Sequence, residues 1–556
     1  MNIQNLIDAA SPGDIVNIPP GIYNEQIIID KPLTLQGPFT GGSAVIDATG
    51  LVAAPTIEIL SSDVSVKNLT IQNGQLHGIQ VGSVASADLI RITISDNYIK
   101  GHSNAGILTN HGASMTIENN YITNNGLGTG FNRGGIVLYP HGMTKIINNS
   151  ISNDLPNNST DGIFARGSST GLLIQNNVIE NYPNSRITLA WDESNVRVID
   201  NVIKKCGIGS FDEQGGLVII QSVAEIITGN TVEDCSRSGI FWGWVLTTGS
   251  QPDEILIANN RISNSSRDAI YLFSQAPGGF IPADIFPLEP IIRGNTLSSS
   301  GRAGIYVSNV YYYGPGNARP TINDNIITGN EWGVLNATDQ IINAVENWWG
   351  NSSGPYHPLL NPDGTGNQVS DRVDFIPWIT EAPKVEIIKC LISNVQMEHY
   401  EISPLTDQTS NVDLTIKVSG NVDINFNGEI ISLDFTKRFA KRLIMIVPDS
   451  DIDAPIIASN SACCASLING NSIRIEIQLY LTVDIGGKRN ILIRASDHCS
   501  PRQKIVNPDS PIDNLPDHCC KGNDPCFMEC IRAEVIFSRC QFKKTLLHYI
   551  EMPQLF

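Results

Sequence analysis

Residues 106–151 read GILTNHGASMTIENNYITNNGLGTGFNRGGIVLYPHGMTKIINNSI. Two copies of one pattern stand in it. Gly-Ile-Leu-Thr at 106 and Gly-Ile-Val-Leu at 135 open the copies, and Asn-Tyr-Ile at 120 and Asn-Ser-Ile at 149 close them. Between these marks, short runs of alternating apolar and polar residues are broken by Asn, Gly and Ser. That period of two predicts strands joined by tight turns and leaves no helical periodicity. Working outward, Asn-x-(Ile/Val/Leu) recurs with its Asn at 68, 97, 120, 149, 177, 201, 230, 260, 295, 325 and 347, the first and last being looser matches. The Gly-led motif recurs at 78, 162, 216, 239 and 304, while Ala269 and Arg186 take the Gly position in two further copies.

One such repeat cannot bury its apolar face alone. Stacked repeats bury a continuous apolar column and bring the Asn side chains into a ladder. The pattern resembles the right-handed parallel β-helix family, the pectate-lyase-like architecture built of PbH1-type repeats, over roughly residues 13–350. The stretch IQNLIDAASPGDIVNIPPGIYNEQIIIDKPLTLQG looks like that family's entry cap, and ENWWGNSSGPYHP with VDFIPW resembles a closing segment. The expected fold is all-β: residues 1–380 as a right-handed parallel β-helix solenoid with an N-terminal cap. Residues 381–556, which resemble no recognised family, follow as a smaller cysteine-rich antiparallel β-domain, sandwich-like, with strands such as VDLTIKVSGNVDINF and IRIEIQLYLTVDI.

The chain has 556 residues, 36 basic against 55 acidic, for a net charge of −19. Residues 381–556 hold 18 basic and 22 acidic, so 1–380 hold 18 and 33 and carry −15. That excludes duplex nucleic acid as the main partner. No apolar run approaches membrane-spanning length. The start, MNIQNLIDAASPGD, lacks the basic and apolar regions of a signal peptide. The expectation is cytoplasmic synthesis and a place on a spore or phage surface.

Nine of the 11 cysteines lie beyond 381, at 390, 463, 464, 499, 519, 520, 526, 530 and 540. Their spacing lacks the paired C-x2-C knuckles of a zinc site, so no cofactor is evident and zinc at these positions is disfavoured. Disulfides are the preferred reading, and an odd number leaves one thiol for a homo-oligomer or a crosslinked assembly. Cys206 and Cys235 each follow their Asn by five residues and are expected one above the other. That spacing permits a disulfide, although a buried thiol stack is the preferred reading.

By alternation, Ile and the fourth residue of each Gly-led motif point inward, and Gly and the third residue point outward. The outward column then places aromatics on three successive coils, Phe241, Tyr271 and Tyr306. Two residues before the Gly position the same coils carry Arg237, Arg267 and Arg302, with Asp268 and Glu331 as in-chain counterions. Aromatic faces for sugar rings beside guanidinium groups for carboxylates make a polysaccharide-binding surface. A second cluster comprises Arg186 in the outward slot, Trp191, Asp192, Glu193 and Asp161, with Arg166, His141 and Trp244 beside it. Asp192, Glu193 and Asp161 are the candidate acid–base groups, with Arg186 holding a carboxylate. No complete signature of polygalacturonases, pectin methylesterases or calcium-dependent pectate lyases is present. The leading expectation is therefore a bacterial or phage β-helix that binds or processes an acidic polysaccharide, as lyase, hydrolase or epimerase. The alternative is a non-catalytic structural surface protein crosslinked through its C-terminal cysteines.

Overall fold

The computed structural model describes residues 2–382 apart from 39–41, 84–87, 111–113, 129–132, 140, 155–159, 168–170, 191–193, 207–214, 221, 223, 244–254, 274–287, 309, 312–313 and 316–317; beyond 382 it describes strands within 385–494 and 546–552. Contacts divide the chain near residue 382 into two units. The first is a three-sheet parallel solenoid. Sheet A runs from Ile15–Asn17 to Val373–Asp374 in 14 strands, sheet B from Gly21–Tyr23 to Ile326–Thr328 in 12, and sheet C from Ile27–Ile29 to Gln368–Val369 in 13. Each of the first twelve coils contributes one strand to each sheet in the order A, B, C, and the closing turns add two strands to A and one to C.

The entry is closed by the helix Ile3–Ala9. Asn2 caps it by accepting from the Asn5 amide, and the Ile3 amide donates to the Glu25 carboxylate at 2.9 Å. Its inner face puts Ile3 and Ile7, both fully buried, against the end of the solenoid core. An open stack of coils needs such a cover, because bare strand edges pair with other chains.

The turn from sheet A to sheet B explains the Asn repeat. The residue before each ladder Asn rounds the corner in the left-handed conformation: Asp96, Asn119, Asn148, Asn176, Asp200, Asn259 and Asp324 have φ of 53–58°. Asn and Asp tolerate that region better than most residues. The following Asn faces inward. From Asn120 through Asn347 each Asn accepts, at Oδ1, the backbone N–H of the Asn one coil below at 2.9–3.0 Å, and Asn97 accepts that of Leu69. The Asn201 side-chain amide donates to the Ile199 carbonyl in its own turn, to that of Ile174 on the coil below and to Asn230 above. Asn347, a looser sequence match, completes the ladder. Asn68 does not join: it occupies the left-handed position itself (φ 55°), and Leu69 takes the ladder slot.

The corner from sheet B to sheet C carries a second inward column. The His102 amide donates to Asn125 Oδ1, its ring Nδ1 lies 2.9 Å from the same oxygen, and its Nε2 lies 3.2 Å from Thr56 Oγ1. Burial pushes His102 and the nearby His77 down to about 4, so both are neutral over the physiological range. Higher in this region Cys206 and Cys235 are joined as a disulfide, with Cα atoms 4.3 Å apart. The stacking on adjacent coils is as expected, and the covalent bond corrects the expectation of free thiols.

The Gly position follows that corner, and there the expected alternation fails. A Cβ built on Gly78, Gly106, Gly135, Gly162, Gly239 or Gly304 would meet the Cγ2 of an inward isoleucine of sheet B at 2.3–2.8 Å. The slot therefore faces the core, because the chain is still rounding the corner when it reaches that residue. Alternation begins only at the following Ile. Core positions otherwise fall as read: Ile107, Ile136, Ile163, Ile187, Leu217, Ile240, Ile270 and Ile305 are buried, and Trp242 is inward in the same core.

The second unit is antiparallel. Strands Val385–Thr406, Thr409–Phe426 and Glu429–Met445 form one sheet, and Ile456–Ile468, Ser472–Asp484, Asn490–Arg494 and Leu546–Met552 form another. Cys463 and Cys464 lie in the strand Ile456–Ile468; Cys499, Cys519, Cys520, Cys526, Cys530 and Cys540 lie outside the described residues, with the expectations about zinc and crosslinking that rest on them. Among the described residues no helix is long and apolar enough to cross a membrane.

Candidate functional site on the outer face of sheet C

The third residues of the Gly-led motifs pair coil upon coil: Leu108, Val137, Phe164, Thr188, Val218, Phe241, Tyr271, Tyr306 and Leu335 are in register on sheet C. Their outward direction is as expected, but their surroundings are not. Phe241 and Tyr271 are only 2% and 6% exposed, and with Val218 and Phe273 they form a small apolar cluster outside the sheet. Phe241 and Tyr271 meet edge to face at 5.2 Å, and Tyr271 and Tyr306 lie 4.8 Å apart. These rings are packed against one another and do not form the open sugar platform expected of them. Tyr306 keeps partial exposure.

The arginine column is likewise real. The Arg267 amide donates to the Arg237 carbonyl, and the Arg302 amide to the Arg267 carbonyl. Arg302 Nε donates to Asp268 Oδ1 at 2.8 Å, and its guanidinium covers the Tyr306 ring at 3.8 Å. Asp268 is fully buried. Burial raises its pKa, while the Arg302 hydrogen bond and charge oppose the rise. Of the two expected counterions, Asp268 is thus the one bonded to Arg302. That guanidinium is held by the protein's own carboxylate. Arg237 and Arg267 are partly exposed on the same edge.

Arg186 corrects a further expectation. Because the Gly slot faces the core, this arginine runs into the solenoid and is 0% exposed. Its Nε donates to the Lys204 carbonyl at 2.9 Å, and Nη1 has no partner among the described residues. It cannot hold a substrate carboxylate on the outer face. Burial lowers its pKa to about 9, with Tyr182 and Asp161 opposing, so it stays charged at neutral pH. A buried guanidinium with an unsatisfied N–H carries a desolvation penalty of several kcal/mol, which an apolar chain of similar length does not. Arg186→Met is therefore expected to match or exceed the wild-type unfolding midpoint in urea.

Asp161 lies on the outer face, one strand position before Gly162. Its Oδ1 accepts from the Ser185 amide at 2.9 Å and from Thr188 Oγ1 at 3.3 Å. The residue keeps partial surface exposure, yet its carboxylate is closely packed. That burial pushes it up to about 6, with the Ser185 and Thr188 hydrogen bonds and Arg186 opposing. At the far end of the same strand Arg166 stacks on Tyr139 of the coil below at 4.4 Å. Tyr139, Phe164 and Arg166 are all partly exposed. Tyr139, which the sequence reading missed, sits four residues past Gly135, in the outward column that Arg166 continues. His141 is nearly buried, with Nδ1 2.7 Å from the Gly142 carbonyl. Trp191, Asp192, Glu193 and Trp244 lie outside the described residues. What the structure does bring together is a strip of Tyr139, Arg166, Phe164, Asp161 and Thr188: aromatic surface, one guanidinium and one carboxylate that titrates near neutrality.

Residues 56–154 and 134–280 match the family model described as a right handed beta helix region. Sequence and shape agree that the first unit is a right-handed parallel β-helix. It is 32% identical over 101 residues to a cell surface glycoprotein of Methanothermus fervidus, an alignment spanning 18% of this chain and 16% of that protein. Among solved structures it is similar to the A-module of a mannuronan C-5 epimerase of Azotobacter vinelandii, at 18% identity and a TM-score of 0.45, covering 60% of this chain and 92% of that one. It is also similar to tailspike protein gp49 of Acinetobacter baumannii bacteriophage Fri1, a capsular polysaccharide depolymerase, at 10% identity and a TM-score of 0.33, covering 99% and 79%. These structural likenesses concern the fold alone.

Proposed function

We propose that the β-helix binds an acidic polysaccharide along the outer face of sheet C and processes it there as a lyase, hydrolase or epimerase. The observation that carries this reading is the strip from Tyr139 to Thr188. Phe164 and Tyr139 offer apolar ring surface to sugars, and Arg166 offers a charged donor pair to a uronate carboxylate. Asp161, with a pKa near 6, interconverts its acid and base forms around neutral pH, as proton transfer at a sugar carbon or glycosidic oxygen requires. Elimination and epimerisation need one such base and a neutralised uronate carboxylate; hydrolysis needs a second carboxyl group. Arg166 stands five strand steps, roughly 16 Å, from Asp161, so it is proposed to hold a neighbouring uronate of the chain and not the reacting one. Asp192 and Glu193 follow Ala190, the register partner of Arg166 at the other end of the strand from Asp161, and are proposed as further acid–base groups for the same polymer. Arg237, Arg267 and Tyr306 are proposed as more distant contacts for the same polymer.

Asp161→Asn keeps the hydrogen-bonded shape and removes the titrating proton. It is expected to lower turnover of a susceptible polyuronate by about 10²-fold or more, with binding retained. Arg166→Ala is expected to weaken binding itself. Full turnover by Asp161→Asn would refute the assignment.

A second reading is a non-catalytic structural protein of a bacterial spore or phage surface. The Arg302–Asp268 pair and the packed Phe241–Tyr271 rings favour it, since residues expected to meet a ligand there are committed to the protein's own structure.

A further inference from the structure

We infer that a second glycan-binding site lies on the outer face of sheet B, formed by Tyr98, Tyr121 and Lys100, and that its ligand is an acidic polysaccharide chain. The ligand class rests on the reading proposed above; the site does not. Tyr98 and Tyr121 are register partners on adjacent coils, with ring centroids 5.2 Å apart and planes tilted by 56°. Tyr121 is 47% exposed, the most exposed aromatic side chain among the described residues. By contrast the aromatics of sheet C are buried or partly buried.

The neighbours make the pair stand out from the face. Thr70 pairs with Tyr98 on the coil below, and Ser150 pairs with Tyr121 on the coil above. Short side chains on either side leave the two rings as a step along the sheet. Neither phenol hydroxyl has a hydrogen-bond partner among the described residues. Lys100, two positions along the same strand as Tyr98 and so on the same face, holds its ammonium 4.6 Å from the Tyr98 ring centroid.

Exposed aromatic surface suits the C–H face of a pyranose, and an ammonium beside it suits a carboxylate or sulfate on that ring. A neutral glycan would use the rings alone. The cation sits in a unit that carries −15 over residues 1–380, so an acidic polymer is repelled in general and can be held only where a basic group is presented. The role inferred for this site is to hold the chain.

The test is affinity electrophoresis of the full chain through gels containing polygalacturonate, with dextran as the neutral control. Tyr98→Ala/Tyr121→Ala is expected to weaken retardation by polygalacturonate about tenfold, and Lys100→Met to weaken it for polygalacturonate only. Tyr121→Phe keeps the stacking surface and is expected to match wild type, as are all thermal unfolding midpoints. If the double variant is retarded as wild type while Arg166→Ala is not, the pair is a cross-strand contact only and the inference fails, leaving the sheet C reading intact. If the double variant loses binding and Arg166→Ala does not, the sheet C reading fails and this site stands. Absence of retardation of the wild type overturns both.

Discussion

Asn201→Ala is expected to lower stability by about 3–5 kcal/mol, because each buried polar group left without a partner costs about 1–3 kcal/mol. Asn201 is fully buried and stands in the middle of the ladder. Its Oδ1 accepts from both the amide and the side chain of Asn177, and its Nδ2 donates to the Ile174 and Ile199 carbonyls and to Asn230. Truncation strands the Asn177 amide and removes the side-chain donor of the Ile174 and Ile199 carbonyls, while the Asn230 oxygen keeps the backbone N–H of residue 201. Urea unfolding followed by far-UV circular dichroism measures the loss. Asn68→Gly is the control. It sits at φ 55° outside the ladder, so a glycine there is expected to stay within about 0.5 kcal/mol of wild type. Equal effects at the two positions would contradict the ladder as the element that locks the coils together.

The second large effect is expected at Arg302. Arg302→Met keeps a long chain over Tyr306 but leaves the fully buried Asp268 carboxylate with Ser238 Oγ, at 3.4 Å, as its remaining side-chain hydrogen bond among the described residues, and with the more distant Arg267 charge. Removing one partner of a buried ion pair typically costs about 3–5 kcal/mol. The loss has a sign in pH. Asp268 already has a raised pKa through burial, and without Arg302 it rises further. A carboxyl whose folded pKa lies above its unfolded value destabilises the fold as pH rises through that range and ceases to do so when protonated. The variant is therefore expected to be weakest at neutral pH and to approach wild type as the solution is acidified. Asp268→Asn in the Arg302→Met background should restore much of the loss, since a neutral amide needs no counterion. Failure of that rescue would place the cost elsewhere than in the stranded charge.

The same residues show what a sequence discloses. The repeat of Asn97 to Asn347 was legible because a left-handed corner followed by an inward amide is a backbone demand, repeated coil after coil. Asn68 was misassigned because a corner residue and a ladder residue can both be asparagine, one position apart. Arg186 was misplaced for a related reason. Counting by two assumes a straight strand, and the chain is still bending at the Gly slot, so that residue faces the isoleucines of sheet B. Alternation gave the direction of Phe241 and Tyr271 correctly but not their burial, since covering depends on which residues pack over that face and pattern does not encode it. Asp161 was legible as a candidate only by adjacency. The feature that distinguishes it, a packed carboxyl titrating near 6, arises from burial that only the stacked coils create, with the Ser185 and Thr188 hydrogen bonds working against it.

The central claim is that the outer face of sheet C acts on an acidic polysaccharide, and incubation of the full chain with a panel of polyuronates and neutral polymers tests it most directly. Product size, reducing ends, absorbance of unsaturated uronates and the epimer ratio at C5 together separate cleavage by elimination, cleavage by hydrolysis, and epimerisation. The account predicts change in at least one acidic polymer, none in neutral ones, and loss of that change in Asp161→Asn. An unchanged acidic polymer, or a change that survives in Asp161→Asn, would contradict it.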